Sequence, residues 1–164
     1  MRLLYQAAAF TGLRIGELRA IVWGDLKLDD SRPHIVVRAA TTKNRRQAVV
    51  PLHPQLVEEL RACRTAETLP SQRVFSQLTQ PHRRIRNDMR TAGIDRMDAT
   101  GRKLDFHALR YTFATKLAQS GVSLRLAQEL LRHSDPRLTA NIYTDASQLP
   151  AFSAVTNLSW SSRP

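Results

Sequence analysis

The sequence is poor in the features that mark several large function classes. It holds one cysteine, Cys63, so neither an internal disulfide nor a cysteine-rich zinc site can form. A reducing compartment, the cytoplasm, is expected. No apolar run approaches the roughly 20 residues that span a bilayer. The stretch 1–10 is too short and too alanine-rich for a signal peptide. No two histidines stand four apart as in a helical zinc protease, and Thr11-Gly12-Leu13-Arg14-Ile15-Gly16 lacks the Lys-Ser/Thr pair of a P-loop. His107 and His133 have no carboxylate or thiol spaced to complete a metal site with them. Neither metal nor cofactor is expected. Internal repeats and low-complexity segments are absent, as is any block of five like charges that would mark a disordered basic tail.

Acidic residues are scarce as well. Twenty-five Lys and Arg stand against 14 Asp and Glu, a formal net charge of +11. Such a field attracts polyanions. Nucleic acid is the leading partner class and an anionic membrane surface the second. Lysine itself is rare, at positions 27, 43, 103 and 116 only. The arginine excess suits bidentate phosphate contact, although base composition of the coding DNA would produce it too. At 164 residues with 42% hydrophobic content, the chain is one domain with a substantial core.

Periodicity predicts an α+β chain that is mostly helical. Residues 2–10 read as helix, punctuated by Thr11-Gly12. Ile15, Leu18, Ile21 and Val22 resume a helical stripe. Arg14 and Glu17 lie three apart on another face, either as a surface ion pair or as a carboxylate that fixes a ligand-directed arginine. Trp23 to Leu28, His34 to Ala39 and Gln47 to Leu52 are three strand candidates that predict a small antiparallel sheet. The last two form a hairpin with Lys43 near its tip. A lysine there is a solvated loop residue or a mobile proton donor. Pro54 opens a helix with Leu56, Leu60 and Cys63 inward. Residues 81–92 form another, with Ile85 and Met89 inward and Gly93 as its stop. Arg83, Arg84, Arg86 and Arg90 on that helix, beside the single acid Asp88, form either a solvated face or a phosphate-backbone contact.

The most informative stretch runs from Asp105 to Tyr143. Asp105 caps a helix that places His107 and Arg110 on one face, with Phe113, Ala114 and Leu117 as its core stripe. Ser123 caps the next helix, where Leu124, Ala127, Leu130 and Leu131 turn inward and His133 lies at the exit. Asp135-Pro136 starts a third helix, with Leu138 and Ile142 inward and Tyr143 near its end. A terminal helix is expected within 147–158. Attack on a phosphodiester needs positioned cations for the transition-state charge, an aimed nucleophile and two proton transfers. A tyrosine, with a pKa near 10, needs neighbouring cations to act at neutral pH. Arg14, Lys43, His107, Arg110, His133 and Tyr143 contain every part.

In these motifs the chain resembles the catalytic domain of the tyrosine recombinases, the phage-integrase-type site-specific recombinases. The motifs are T-G-L-R-I-G-E-L at 11–18, H-A-L-R-Y-T-F-A-T at 107–115, L-L-R-H-S-D-P at 130–136 and Y-T at 143–144. The resemblance covers almost the whole chain. It implies the tyrosine-recombinase catalytic fold and DNA as substrate. Arg14 and Arg110 would clamp the scissile phosphate. Lys43 would protonate the leaving 5′-oxygen, His107 would assist proton transfer, and His133 would hydrogen-bond the phosphate. Tyr143 would form a 3′-phosphotyrosyl link that a 5′-hydroxyl reverses, without ATP or metal. Glu17 would be structural support. A tetramer on DNA, assembled through the C-terminal segment, and a nucleoid-associated location follow from the same likeness.

The family's N-terminal DNA-clamping domain has no room before the first motif, so residues 1–164 are expected to be a catalytic domain without it, with weak DNA binding alone. A non-catalytic DNA-binding fragment and a type IB topoisomerase-like enzyme are the alternatives. Among competing residues, Tyr111 and Tyr5 are expected to pack. His34, His53 and His82 match no motif and are expected at the surface. Arg45 and Arg46 lie close to Lys43, but arginine is a poor proton donor.

Overall fold

Local signals explain most element boundaries in the computed structural model, which describes residues 2–42, 45–76, 78, 80–99, 101–133 and 135–143. The chain divides into two compact units, Met1–Phe113 and Ala114–Pro164. Among the described residues, no helix is long and apolar enough to cross a membrane.

In the first unit, α1 (Arg2–Thr11) buries Leu4, Ala7, Ala8 and Thr11. That spacing is the inward stripe of an amphipathic helix. The short α2 (Ile15–Ala20) follows Gly12 and Arg14. A three-stranded antiparallel sheet comes next, in the order β1 (Leu26–Lys27), β2 (His34–Val37), β3 (Ala48–Pro51). Register pairs Leu26 with Ile35 and Ile35 with Val50. All three are buried, while Val49 on β3 faces out, as a period of two requires. The expected first strand is shorter than the span 23–28. The Asp25 carboxylate accepts from the Val22 N–H at 3.0 Å, and this closes a 3₁₀ turn over Trp23–Asp25 before pairing begins.

Helix α3 (Pro54–Cys63) starts at His53, whose Nδ1 accepts from the Gln55 N–H. It buries Leu56, Val57 and Leu60 and packs against α1. Leu18, Leu56 and Leu60 are at most 1% exposed, and each such burial contributes about 1.5–3 kcal/mol. Cys63, expected in this core, is exposed. It is the last residue of the helix, where the packed stripe has already ended. Helix α4 (Pro81–Thr91) buries Ile85 and Met89 and leaves Arg83, Arg84, Arg86 and Arg90 exposed. It stops at Gly93, whose φ of +67° suits glycine. Tyr5 is half-buried, stacks on Phe106 and donates to the Asp88 carboxylate at 2.5 Å. Burial and that carboxylate raise its pKa. Helix α5 (Phe106–Gln119) opens in this unit and closes in the second.

In the second unit, α6 (Leu124–Leu131) is capped by Ser123, whose hydroxyl accepts from the Leu126 N–H. It packs on α7 (Arg137–Tyr143), which starts where the Asp135 carboxylate accepts from the Arg137 N–H at 2.9 Å. Ala127, Leu131 and Thr139 are fully buried. Two inward assignments fail here: Leu124 is 40% and Leu138 49% exposed. Both lie in the first turn of a helix of two turns, where a small phase error moves a residue off the packed face. The expected helix within 147–158 lies outside the described residues.

Candidate active site

Arg14 owes its position to a turn and a buried carboxylate. Helix α1 ends at Thr11, and Gly12 takes φ +59°, a conformation that costs other L-residues energy. The chain then re-enters helix with Arg14 as the extended N-cap of α2. The Arg14 backbone N–H donates to Glu17 Oε2 at 2.8 Å, and its Nη1 to Oε1 at 3.2 Å. Glu17 is 2% exposed and the arginine side chain 30%. A carboxylate so buried is tolerated only when paired. Glu17 therefore closes the helix start through the backbone and holds the guanidinium of the same residue. Of the two readings of this pair, the surface one is excluded.

Helix α5 supplies the facing groups. The Asp105 carboxylate accepts from the N–H groups of His107 and Ala108, at 2.7 and 3.2 Å. This cap fixes the first turn, and Arg110 follows His107 by three residues on the same face. Arg110 is 3% exposed, and its Nη1 donates to the Gly12 carbonyl. One turn on, the Phe113 ring covers the same glycine: a Cβ there would meet Phe113 Cδ1 at 2.5 Å. Arg110 and Phe113 thus grip the turn that leads into Arg14, so the two arginines are positioned by one structural unit.

A cleft of about 170 Å³ lies at this junction, lined by Arg14, His82, Asp105, His107 and Arg110, with Leu13, Ile15 and Phe106 as apolar walls. It is smaller than a typical organic-ligand pocket of roughly 300–1,000 Å³. Its two guanidiniums suit a phosphate-sized anion. The His107 pKa is lowered, first by partial desolvation and then by the Arg110 charge, with Arg14 adding and Asp105 opposing. A neutral imidazole there can accept a proton. Tyr111 stands edge-on to His107, with centroids 5.3 Å apart and planes at 85°. It is 53% exposed, not packed as expected, because it lies on the outward side of α5.

His133 and Tyr143 belong to the second unit. Arg132, at φ +53°, ends α6, and the His133 N–H returns to the Gln128 carbonyl at 3.2 Å. The His133 ring is half-buried, with Nδ1 at 2.8 Å from Thr139 Oγ1. Tyr143 is the last residue of α7. Lys43 lies outside the described residues. Three of the six expected residues, Arg14, His107 and Arg110, therefore line one cleft. His82 joins them there. It is exposed, as expected, but no local motif signals its place, since α4 is brought to the cleft by tertiary packing. Thr139 also escaped the sequence reading; its six-residue spacing from His133 was the available signal. Among the described residues, no group of three His, Cys, Asp or Glu is placed to hold a metal ion.

The chain is similar to several tyrosine recombinases. It is 35% identical over 147 residues to the tyrosine recombinase XerA of Thermococcus kodakarensis, covering 87% of this chain and 48% of that protein. It is 31% identical over 150 residues to the tyrosine recombinase XerC of Pediococcus pentosaceus, covering 84% and 47%. It thus spans about half the length of these relatives. Among solved structures, a XerA recombinase matches with TM-score 0.63 and 26% identity over 97% of this chain and 61% of that one. The catalytic domain of bacteriophage HP1 integrase matches with TM-score 0.61 and 21% identity, over 94% and 80%. The mostly helical fold with its small antiparallel sheet is the one these neighbours share. The Phage integrase family pattern matches residues 1–149, motifs and cleft included, and the chain belongs to that family.

Proposed function

We propose that this chain is the catalytic domain of a site-specific DNA recombinase, cutting and rejoining strands through Tyr143. The convergence of Arg14, His107 and Arg110 on one phosphate-sized cleft carries the reading. Arg14 and Arg110 hold the non-bridging oxygens of the scissile phosphate and offset the charge that builds in the transition state. Their preset positions, one braced by Glu17 and the other by the Gly12 carbonyl, spare reorganisation when DNA binds. His107, whose lowered pKa favours the neutral imidazole, assists proton transfer at the tyrosine. His133 donates to the phosphate, and Lys43 protonates the departing 5′-oxygen. Tyr143 attacks the phosphorus to form a 3′-phosphotyrosyl link and a free 5′-hydroxyl. Attack by a 5′-hydroxyl from a partner strand reverses the step. The phosphoester count is conserved, so the exchange needs no ATP; Arg14 and Arg110 offset the charge at the phosphate, so no metal or other cofactor is invoked.

Double-stranded DNA is the partner that the net charge of +11 and the four exposed arginines of α4 favour. The assembly on DNA is a tetramer formed through the C-terminal segment, and the site of action is the cytoplasmic nucleoid. A nicked suicide substrate tests the chemistry. The wild-type chain is expected to give a protein–DNA adduct stable on a denaturing gel, and Tyr143→Phe none. No wild-type adduct, or an adduct from Tyr143→Phe, overturns the reading. Sedimentation on a DNA site tests the assembly, and a strict monomer counts against it.

A further inference from the structure

Thr139 is a second-unit residue with no part in the chemistry so far. Its side chain is fully buried, at 0% exposure. It lies in the first turn of α7, where its backbone N–H bonds to the Pro136 carbonyl at 3.1 Å. A buried hydroxyl must place its one hydrogen on an acceptor, because leaving it unsatisfied costs more than an ordinary hydrogen bond gains. Helical threonines usually send that hydrogen to the carbonyl three or four residues back. Here, among the described residues, no carbonyl takes it. The acceptor within reach is His133 Nδ1, at 2.8 Å.

An acceptor nitrogen carries no proton. We propose that Thr139 is a positioning residue that fixes His133 as the Nε2–H tautomer, so that the outer ring nitrogen is a hydrogen-bond donor toward a phosphate oxygen. The inference rests on the phosphate-binding reading of His133 given above. The opposite tautomer would turn a lone pair toward an anionic oxygen and repel it. The bond also ties the loop that carries His133 to the first turn of α7, the helix that ends at Tyr143. A nucleophile's helix and a phosphate donor are thereby held to each other by one buried contact.

A long-range ¹H–¹⁵N spectrum of the chain, taken where the ring is neutral, reports which nitrogen of His133 bears the proton. His133→Asn identifies the signal by its loss. Wild type and Thr139→Ser are expected to show the Nε2–H form. Thr139→Val keeps the shape without the donor and is expected to show the Nδ1–H form or a mixture. An Nδ1–H ring in the wild type overturns the proposal, as does a pure Nε2–H ring in a folded Thr139→Val. In the suicide-substrate assay, Thr139→Val is expected to slow adduct formation about tenfold, the loss of part of a charge-assisted hydrogen bond, and Thr139→Ser to restore it. Absence of adduct in the wild type refutes the strand-transfer reading, and the spectrum still decides the tautomer.

Discussion

Replacing Gly12 by alanine tests whether the turn before Arg14 holds the two arginines together. Two penalties follow from the structure. Gly12 has φ +59°, and an L-residue in that region costs about 1–2 kcal/mol. The added Cβ meets Phe113 Cδ1 at 2.5 Å, with two further ring atoms at 3.2 and 3.3 Å, and overpacking of this kind costs about 1–3 kcal/mol. Reduced freedom of the unfolded chain returns about 0.4–1 kcal/mol. The net destabilisation is about 1–5 kcal/mol, read as a lower urea midpoint at constant m-value. The two penalties separate in a double-mutant cycle. In a Phe113→Ala background the clash is gone and only the φ cost remains, so coupling of about 1–3 kcal/mol is expected. Because the Gly12 carbonyl anchors Arg110, Gly12→Ala also slows adduct formation. A wild-type midpoint, or strict additivity with Phe113→Ala, refutes the account of this turn.

Three further perturbations address the cleft and the basic helix. Glu17→Ala removes the partner of a part-exposed arginine and the helix cap together, and is expected to cost about 2–4 kcal/mol; Glu17→Gln, which keeps the cap acceptor but not the charge, is expected to cost less, and in chemical denaturation a loss equal to that of Glu17→Ala contradicts the cap, while no loss contradicts the pairing. The His107 proton midpoint, followed by NMR, falls below the ordinary histidine value of about 6.5 and falls further in Asp105→Asn, which removes the opposing charge but keeps a capping side chain. Since the folded ring binds its proton less readily than the unfolded one, its contribution to stability is complete above the ordinary value and is lost as pH falls toward the lowered one; a rise of the midpoint in Asp105→Asn contradicts this. Neutralising Arg83, Arg86 or Arg90 singly is expected to lower the slope of log K against log salt for DNA binding by about one each, and an unchanged slope removes that residue from the interface.

Caps, turns and the hairpin were legible because they are local events. Asp105, Ser123 and Asp135 each sit beside the N–H groups they satisfy, and the paired strands follow from β-branched runs. Side-chain orientation in short helices was less legible. Cys63, Leu124 and Leu138 fit an apolar stripe by residue type, yet each lies in an end turn that neighbouring elements do not cover. Tyr111 fits the same pattern of misplacement on the outer side of α5. For the site, the motif residues were readable, but the reason for their rigidity was not. The depth of Glu17, the grip of Phe113 on Gly12 and the arrival of His82 from α4 all depend on contacts between segments distant in the chain.

The most direct test of the central claim is to map the covalent adduct. After reaction with a nicked suicide substrate, nuclease trimming and trypsin, mass spectrometry locates the nucleotide-bearing peptide. The account predicts residues 138–164, which follow Arg137 and hold Tyr143 as the one tyrosine, since the Arg163–Pro164 bond resists trypsin, with the DNA joined through its 3′-phosphate. An adduct on residues 111–116, which hold Tyr111, or on residues 3–14, which hold Tyr5, would contradict it.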